Sequence, residues 1–71
     1  MEKQLDNQEL VFNWHRKIVN ICEDRLGRQL TDIEKRFIES RGGFMALEMI
    51  EDTVNTTASI KDLEGYLNSE A

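Results

Sequence analysis

One stretch constrains this chain more than any other: Leu26-Gly27-Arg28-Gln29-Leu30-Thr31-Asp32-Ile33-Glu34 must end one helix and begin the next within a few residues. Glycine takes the left-handed conformation just past a helix end without a Cβ penalty. Thr31, with Glu34 three positions later, has the spacing of a capping box. In that box the hydroxyl accepts from the N–H of Glu34, and the carboxylate accepts from the N–H of Thr31. Two donors that a helix start leaves orphaned are thereby satisfied. The turn sets the angle between two helices, and the rest of the chain packs by reference to it.

Helical periodicity continues on both sides. The first helix begins at Asp6 or Asn7, either of which can cap it, and runs to about Leu26. Leu10 or Val11, Trp14, Ile18, Ile21, Cys22 and Arg25 make one row, and Phe12, His15, Val19, Cys22 and Leu26 make the next. This apolar face is wide for an amphipathic helix. It fits either a central place in a bundle or contact with another protomer or partner around Phe12 and Val19. A second helix runs from Asp32 to about Ser40, with Ile33, Phe37 and Ile38 inward, and Gly42-Gly43 makes a turn. A third spans Phe44 to Val54, with Phe44, Leu47, Ile50 and Val54 on one stripe; Met45 and Met49 beside it read as gap-filling core residues. Asn55 to Ser59 reads as a polar loop ending in a cap, Ser59 and Asp62 repeating the box spacing. The last helix runs from Ile60 to about Asn68 and buries Ile60, Leu63 and Leu67, with Tyr66 at its margin and Gly65 weakening it. No heptad is sustained and the helices differ in length. The expected fold is therefore all-α: a small orthogonal bundle of about four helices, one long and N-terminal and three shorter.

Seventy-one residues, with no proline and evenly spread apolar positions, make a single helical domain over 1–71. That is close to the size at which one core only just outweighs chain entropy, so self-association or docking is a natural way to complete it. No apolar run is long enough to span a bilayer, and Met1-Glu2-Lys3-Gln4 lacks the layout of a signal peptide, so a cytoplasmic protein is expected. The Asn55-Thr56-Thr57 sequon then carries no glycan. The net charge of −5 is uneven: residues 1–41 are neutral, and from Gly42 onward Lys61 alone is basic against Glu48, Glu51, Asp52, Asp62, Glu64 and Glu70.

Little here points to chemistry. The single Cys22 lies on a helical apolar face and reads as a buried, inert thiol. His15 has no second histidine or cysteine at ligand spacing, so no metal site is expected; it reads as a half-buried helix residue with an exposed polar edge. Glu23 with Asp24 and Glu51 with Asp52 are chain neighbours that point to different sides of a helix, a poor arrangement for acid–base work. We expect neither enzymatic activity nor a cofactor. A helix-turn-helix reading of the second and third helices fails on charge, because Phe44 to Val54 carries three acids and no Lys or Arg.

Gly27-Arg28-Gln29-Leu30-Thr31-Asp32-Ile33-Glu34-Lys35, preceded by an apolar helix and followed by a short acidic and apolar one, resembles the helical domain of the DnaD-like primosomal replication proteins. Phe44, Leu47, Ile50 and Val54 match its next amphipathic helix. Ile60-Lys61-Asp62-Leu63-Glu64-Gly65-Tyr66-Leu67-Asn68 is similar to its last. The resemblance covers about Trp14 to Asn68 through short, degenerate motifs. That family's last helix carries a tyrosine, an isoleucine and a tryptophan at four-residue spacing, followed by a basic tail that contacts DNA. Here Asp62, Tyr66 and Glu70 stand at those positions and no basic tail follows within the sequence. The resemblance therefore implies a bacterial or phage-type helical module that contacts a replication helicase, its loader or the initiator. In that reading Glu48, Glu51, Asp52, Asp62 and Glu64 steer association, and exposed Phe12, Trp14 or Tyr66 supply the anchor. The alternatives are weak nucleic-acid binding through Arg25, Arg28, Lys35, Arg36 and Arg41 around the turn, and a structural domain whose charges only solvate it.

Overall fold

A computed structural model describes residues 7–69. Among them the chain forms α1 (Asn7–Leu26), α2 (Asp32–Glu39), α3 (Phe44–Thr56) and α4 (Ile60–Leu67), with no strand. Asp6, one of the two expected caps of the first helix, and Glu70 lie outside the described residues.

The central turn forms as its residues dictate. Gly27 sits at φ +71 just past α1, and its N–H donates to the Glu23 carbonyl. At the start of α2 both halves of the capping box are present: the Glu34 N–H donates to Thr31 Oγ1 at 3.2 Å, and the Thr31 N–H donates to Glu34 Oε1 at 2.9 Å. The Leu30 N–H donates to Glu23 Oε2 at 3.0 Å, so the end of α1 also holds the chain that leaves it. At α4, Ser59 Oγ accepts from the Asp62 N–H.

The turn lays α1 across the other three helices, and α2 also packs on α4. Ile18 and Cys22 of α1, Leu30, Phe37 and Ile38 of the turn and α2, Leu47, Ile50 and Val54 of α3, and Leu63 and Leu67 of α4 make one buried core. Truncating a core leucine or isoleucine to alanine costs about 2–5 kcal/mol, because lost transfer energy and a residual cavity add. The wide face of α1 follows from this central place, with Val11, Trp14, Val19, Ile21 and Leu26 half-buried along its margins.

Several expectations are corrected. The third helix continues past Val54 to Thr56. Within it Thr53 Oγ1, Asn55 Nδ2 and Thr56 Oγ1 each donate to the carbonyl four residues earlier, so side chains suited to a loop are accommodated on the helix. Ile33 is exposed rather than inward; the buried side of α2 is Glu34, Phe37 and Ile38, and Leu30 just before the helix fills the adjoining space. Ile60, the first residue of α4, is also exposed although Leu63 on the same face is buried. Met45 and Met49 are not core residues: they are 79% and 69% exposed. With Leu47, Ile50 and Val54 already filling the face of α3 that meets the core, the 100° advance per residue turns both methionines to solvent.

Candidate functional site

The basic residues around the turn face inward to partners in the chain more than outward. Arg28 makes a two-pronged pair with Glu34, Nη1 to Oε1 at 2.8 Å and Nη2 to Oε2 at 2.9 Å, and Nη2 also reaches Glu64 Oε2 at 2.9 Å. The Glu34 carboxylate, 1% exposed, further accepts from the Thr31 N–H and from Asn68 Nδ2 at 2.9 Å. A buried carboxylate with four charge-assisted or amide donors is strongly held in its ionised form. The hydrogen bonds from Arg28, assisted by those from Thr31 and Asn68, outweigh the cost of burial and take Glu34 from 4.5 to about 2. One side chain thereby ties the turn, α2 and the end of α4 together.

Arg25 is likewise engaged. From α1 it donates through Nη1 to the Val54 carbonyl at 2.7 Å and to Thr57 Oγ1, and through Nη2 to the Thr57 carbonyl at 2.8 Å. It satisfies carbonyls orphaned at the C-terminus of α3 and places a cation at the negative end of that helix. Arg41 lies over the Phe37 ring, 5.4 Å from its centroid, while Tyr66 meets the same ring edge-on at 5.0 Å. The Arg41 carbonyl accepts a hydrogen bond from His15, so Nε2 of that ring carries a proton; His15 is half-buried as expected, with this nitrogen bonded inside the chain. Lys35 is half-buried and Arg36 exposed, and they border a shallow depression shared with Asp32, Glu39 and Ser40. The five candidate nucleic-acid residues do not make one free basic patch: two are committed to ion pairs or helix ends, and one is stacked on an aromatic ring.

The candidate protein-binding residues also divide. Trp14 is half-buried, tilted against Phe44 with ring centroids 5.8 Å apart, and donates Nε1–H to Glu51 Oε1 at 2.7 Å. Lys17 pairs with the other oxygen of Glu51 at 3.0 Å. Lys17 first and Trp14 second lower the Glu51 pKa. Trp14 and Glu51 therefore fasten α1 to α3, and Trp14 is half-buried rather than the exposed anchor expected. Tyr66, half-buried against Phe37, is corrected in the same way, and Glu64 is held by Arg28. Phe12 is exposed as expected, at 60%, and Asp62 is exposed at the start of α4.

What remains on α3 is a continuous outer face. Met45, Glu48, Met49 and Asp52, at i, i+3, i+4 and i+7, line one shallow depression. The sequence places Glu48 and Asp52 among the acids expected to steer association and Met45 and Met49 in the core; in the structure all four are exposed. The signal that could have placed the two methionines outside is their offset from the Leu47, Ile50 and Val54 stripe.

Cys22 is fully buried, and burial first, then the Glu34 charge, pushes its thiol up to about 11. Among the described residues no group of three or more His, Cys, Asp or Glu side chains is placed to hold a metal ion, and no helix is long and apolar enough to cross a membrane. No family model matches this chain, and neither a curated protein nor a solved structure matches it.

Proposed function

We propose that this chain is a small cytoplasmic protein-interaction module, DnaD-like in its turn and helix pattern, that binds or regulates a protein of the DNA-replication machinery such as a helicase, its loader or the initiator, without catalysis or a cofactor. The observation that carries the interaction reading is the outer face of α3: two methionines, 79% and 69% exposed, interleaved with Glu48 and Asp52. Exposed flexible apolar side chains cost free energy in water unless a partner covers them, and methionine adapts to the shape it meets. The replication machinery enters through the resemblance of the turn and the last helix. Nucleic-acid binding has less support, because Arg25 and Arg28 are already engaged within the chain.

The test is capture from a nuclease-treated bacterial lysate with the tagged chain and with the double variant Met45→Ser, Met49→Ser. A helicase, loader or initiator that survives nuclease and is lost with the variant is the expected result. Identical capture by both baits, or capture that disappears with nuclease, would overturn the proposal.

A further inference from the structure

Resting on the interaction reading above, we infer that the outer face of α3 takes a basic amphipathic helix of its protein partner. The rows Met45 to Met49 and Glu48 to Asp52 are parallel i, i+4 ridges with a shallow groove between them. A second helix seats its own i, i+4 ridge in such a groove, so helix-on-helix packing suits this surface without rearrangement of α3. The charge of the occupant follows from α3 itself, which has three acids and no Lys, Arg or His along Phe44–Thr56. Glu51 is turned inward to Trp14 and Lys17. Glu48 and Asp52 stay exposed beside the methionines, so the matching helix carries apolar anchors at i and i+4 with lysine or arginine on the flanks.

A second copy of this chain fits the same face poorly. In a two-fold pairing each surface meets its own equivalent, which would bring Glu48 and Asp52 of both copies together with no cation from either α3, in a chain of net charge −5. The helix N-terminus plays no part, since Met45, Glu48, Met49 and Asp52 are read along the side of the helix.

The probe is a fluorescent synthetic helix of about 18 residues, with leucine at i and i+4 and lysines flanking that row. Two twins accompany it, one with every lysine replaced by glutamate and one with the lysine peptide's composition scrambled to destroy the apolar row. Anisotropy titrations use the full chain, the Met45→Ser, Met49→Ser variant and the Glu48→Lys, Asp52→Lys variant, each shown by circular dichroism to keep its helix content. The lysine helix binds the full chain most tightly, and either double variant weakens it about tenfold. The glutamate twin binding as well as the lysine helix, the scrambled twin doing so, binding indifferent to both double variants, or no binding at all would each overturn the inference. So would a concentration-dependent dimer in sedimentation that is lost in the methionine variant, because the face would then belong to a second copy. Any of these results, alongside lysate capture that still depends on Met45 and Met49, defeats the basic helix while leaving the interaction module standing. Capture indifferent to those residues defeats the module itself.

Discussion

Replacing Glu34 by glutamine tests the physical centre of this fold. Glutamine keeps the shape of the side chain but removes the charge, and it turns one acceptor into a donor facing Arg28 or Asn68. In the folded chain Glu34 is displaced from 4.5 to about 2. With a tenfold change in affinity worth about 1.4 kcal/mol, this displacement corresponds to about 3 kcal/mol of stability. Removing one member of a buried pair costs about 3–5 kcal/mol in general; the lower end applies here because Arg28 lies at the surface, where water can replace Glu34. The sign follows from the downward displacement: the contribution is complete above about pH 4.5 and is lost as pH falls toward 2, where the native carboxylate also takes up a proton. Urea unfolding followed by circular dichroism, at several pH values between 7 and 2, measures it. A domain of this size holds about 4–10 kcal/mol in total and has a urea slope near ~1 kcal/mol per M, so Glu34→Gln lowers the neutral-pH midpoint by about 3 M. The gap between the two proteins then narrows as the wild-type chain approaches pH 2. Glu51 also loses stabilisation in acid, but it does so in both proteins and cancels from the difference. A gap that stays constant with pH, or one under about 1 kcal/mol at pH 7, would refute the reasoning.

Thr31→Ala removes the hydroxyl that caps α2 and should cost about 1 kcal/mol in the same urea assay, with an unchanged midpoint counting against the cap. Gly27→Ala meets no atom within 4 Å, so its expected cost of about 1–2 kcal/mol comes from the left-handed backbone alone, and Gly27→Asn should recover part of it. With its pKa at about 11, Cys22 holds only about 0.1% thiolate at pH 8, so an aromatic disulfide reagent should modify it at the rate of unfolding and not before; rapid labelling of the native chain would contradict its burial.

The elements of this fold were legible because they are decided locally. Gly27, the Thr31 and Glu34 box, the Gly42-Gly43 break and Ser59 each act within one turn of chain, and α2, α3 and α4 start where these residues put them. Side-chain destinations were harder to read, because they depend on which helices meet. Helical offset separates Met45 from the Leu47, Ile50 and Val54 stripe, but which of the two faces is buried is decided by the packing of α1 on α3. Trp14 looks like an exposed anchor until α3 brings Glu51 within 2.7 Å of its indole nitrogen, across 37 positions of sequence. Arg28 shows the same limit, since its pair with Glu34 spans six residues but its bond to Glu64 spans 36.

These long-range bonds decide where a partner can act. The basic residues of the chain cluster in its first part, which suggests a cationic surface around the turn. Folding instead sends Arg28 to Glu34 and Glu64, Arg25 to the end of α3, Lys17 to Glu51 and Arg41 onto Phe37. A cation held in this way already has its field offset by a neighbouring carboxylate or carbonyl, and recruiting it to a phosphate would break the contact that positions two helices. Binding through Arg25 or Arg28 would therefore compete with the fold. The outer face of α3 has no such conflict: Met45, Glu48, Met49 and Asp52 lie outside the buried core, so they can be substituted while Leu47, Ile50 and Val54 keep the helix in place. A partner that engages this face can use its apolar and acidic side chains together without drawing on the network that holds the four helices.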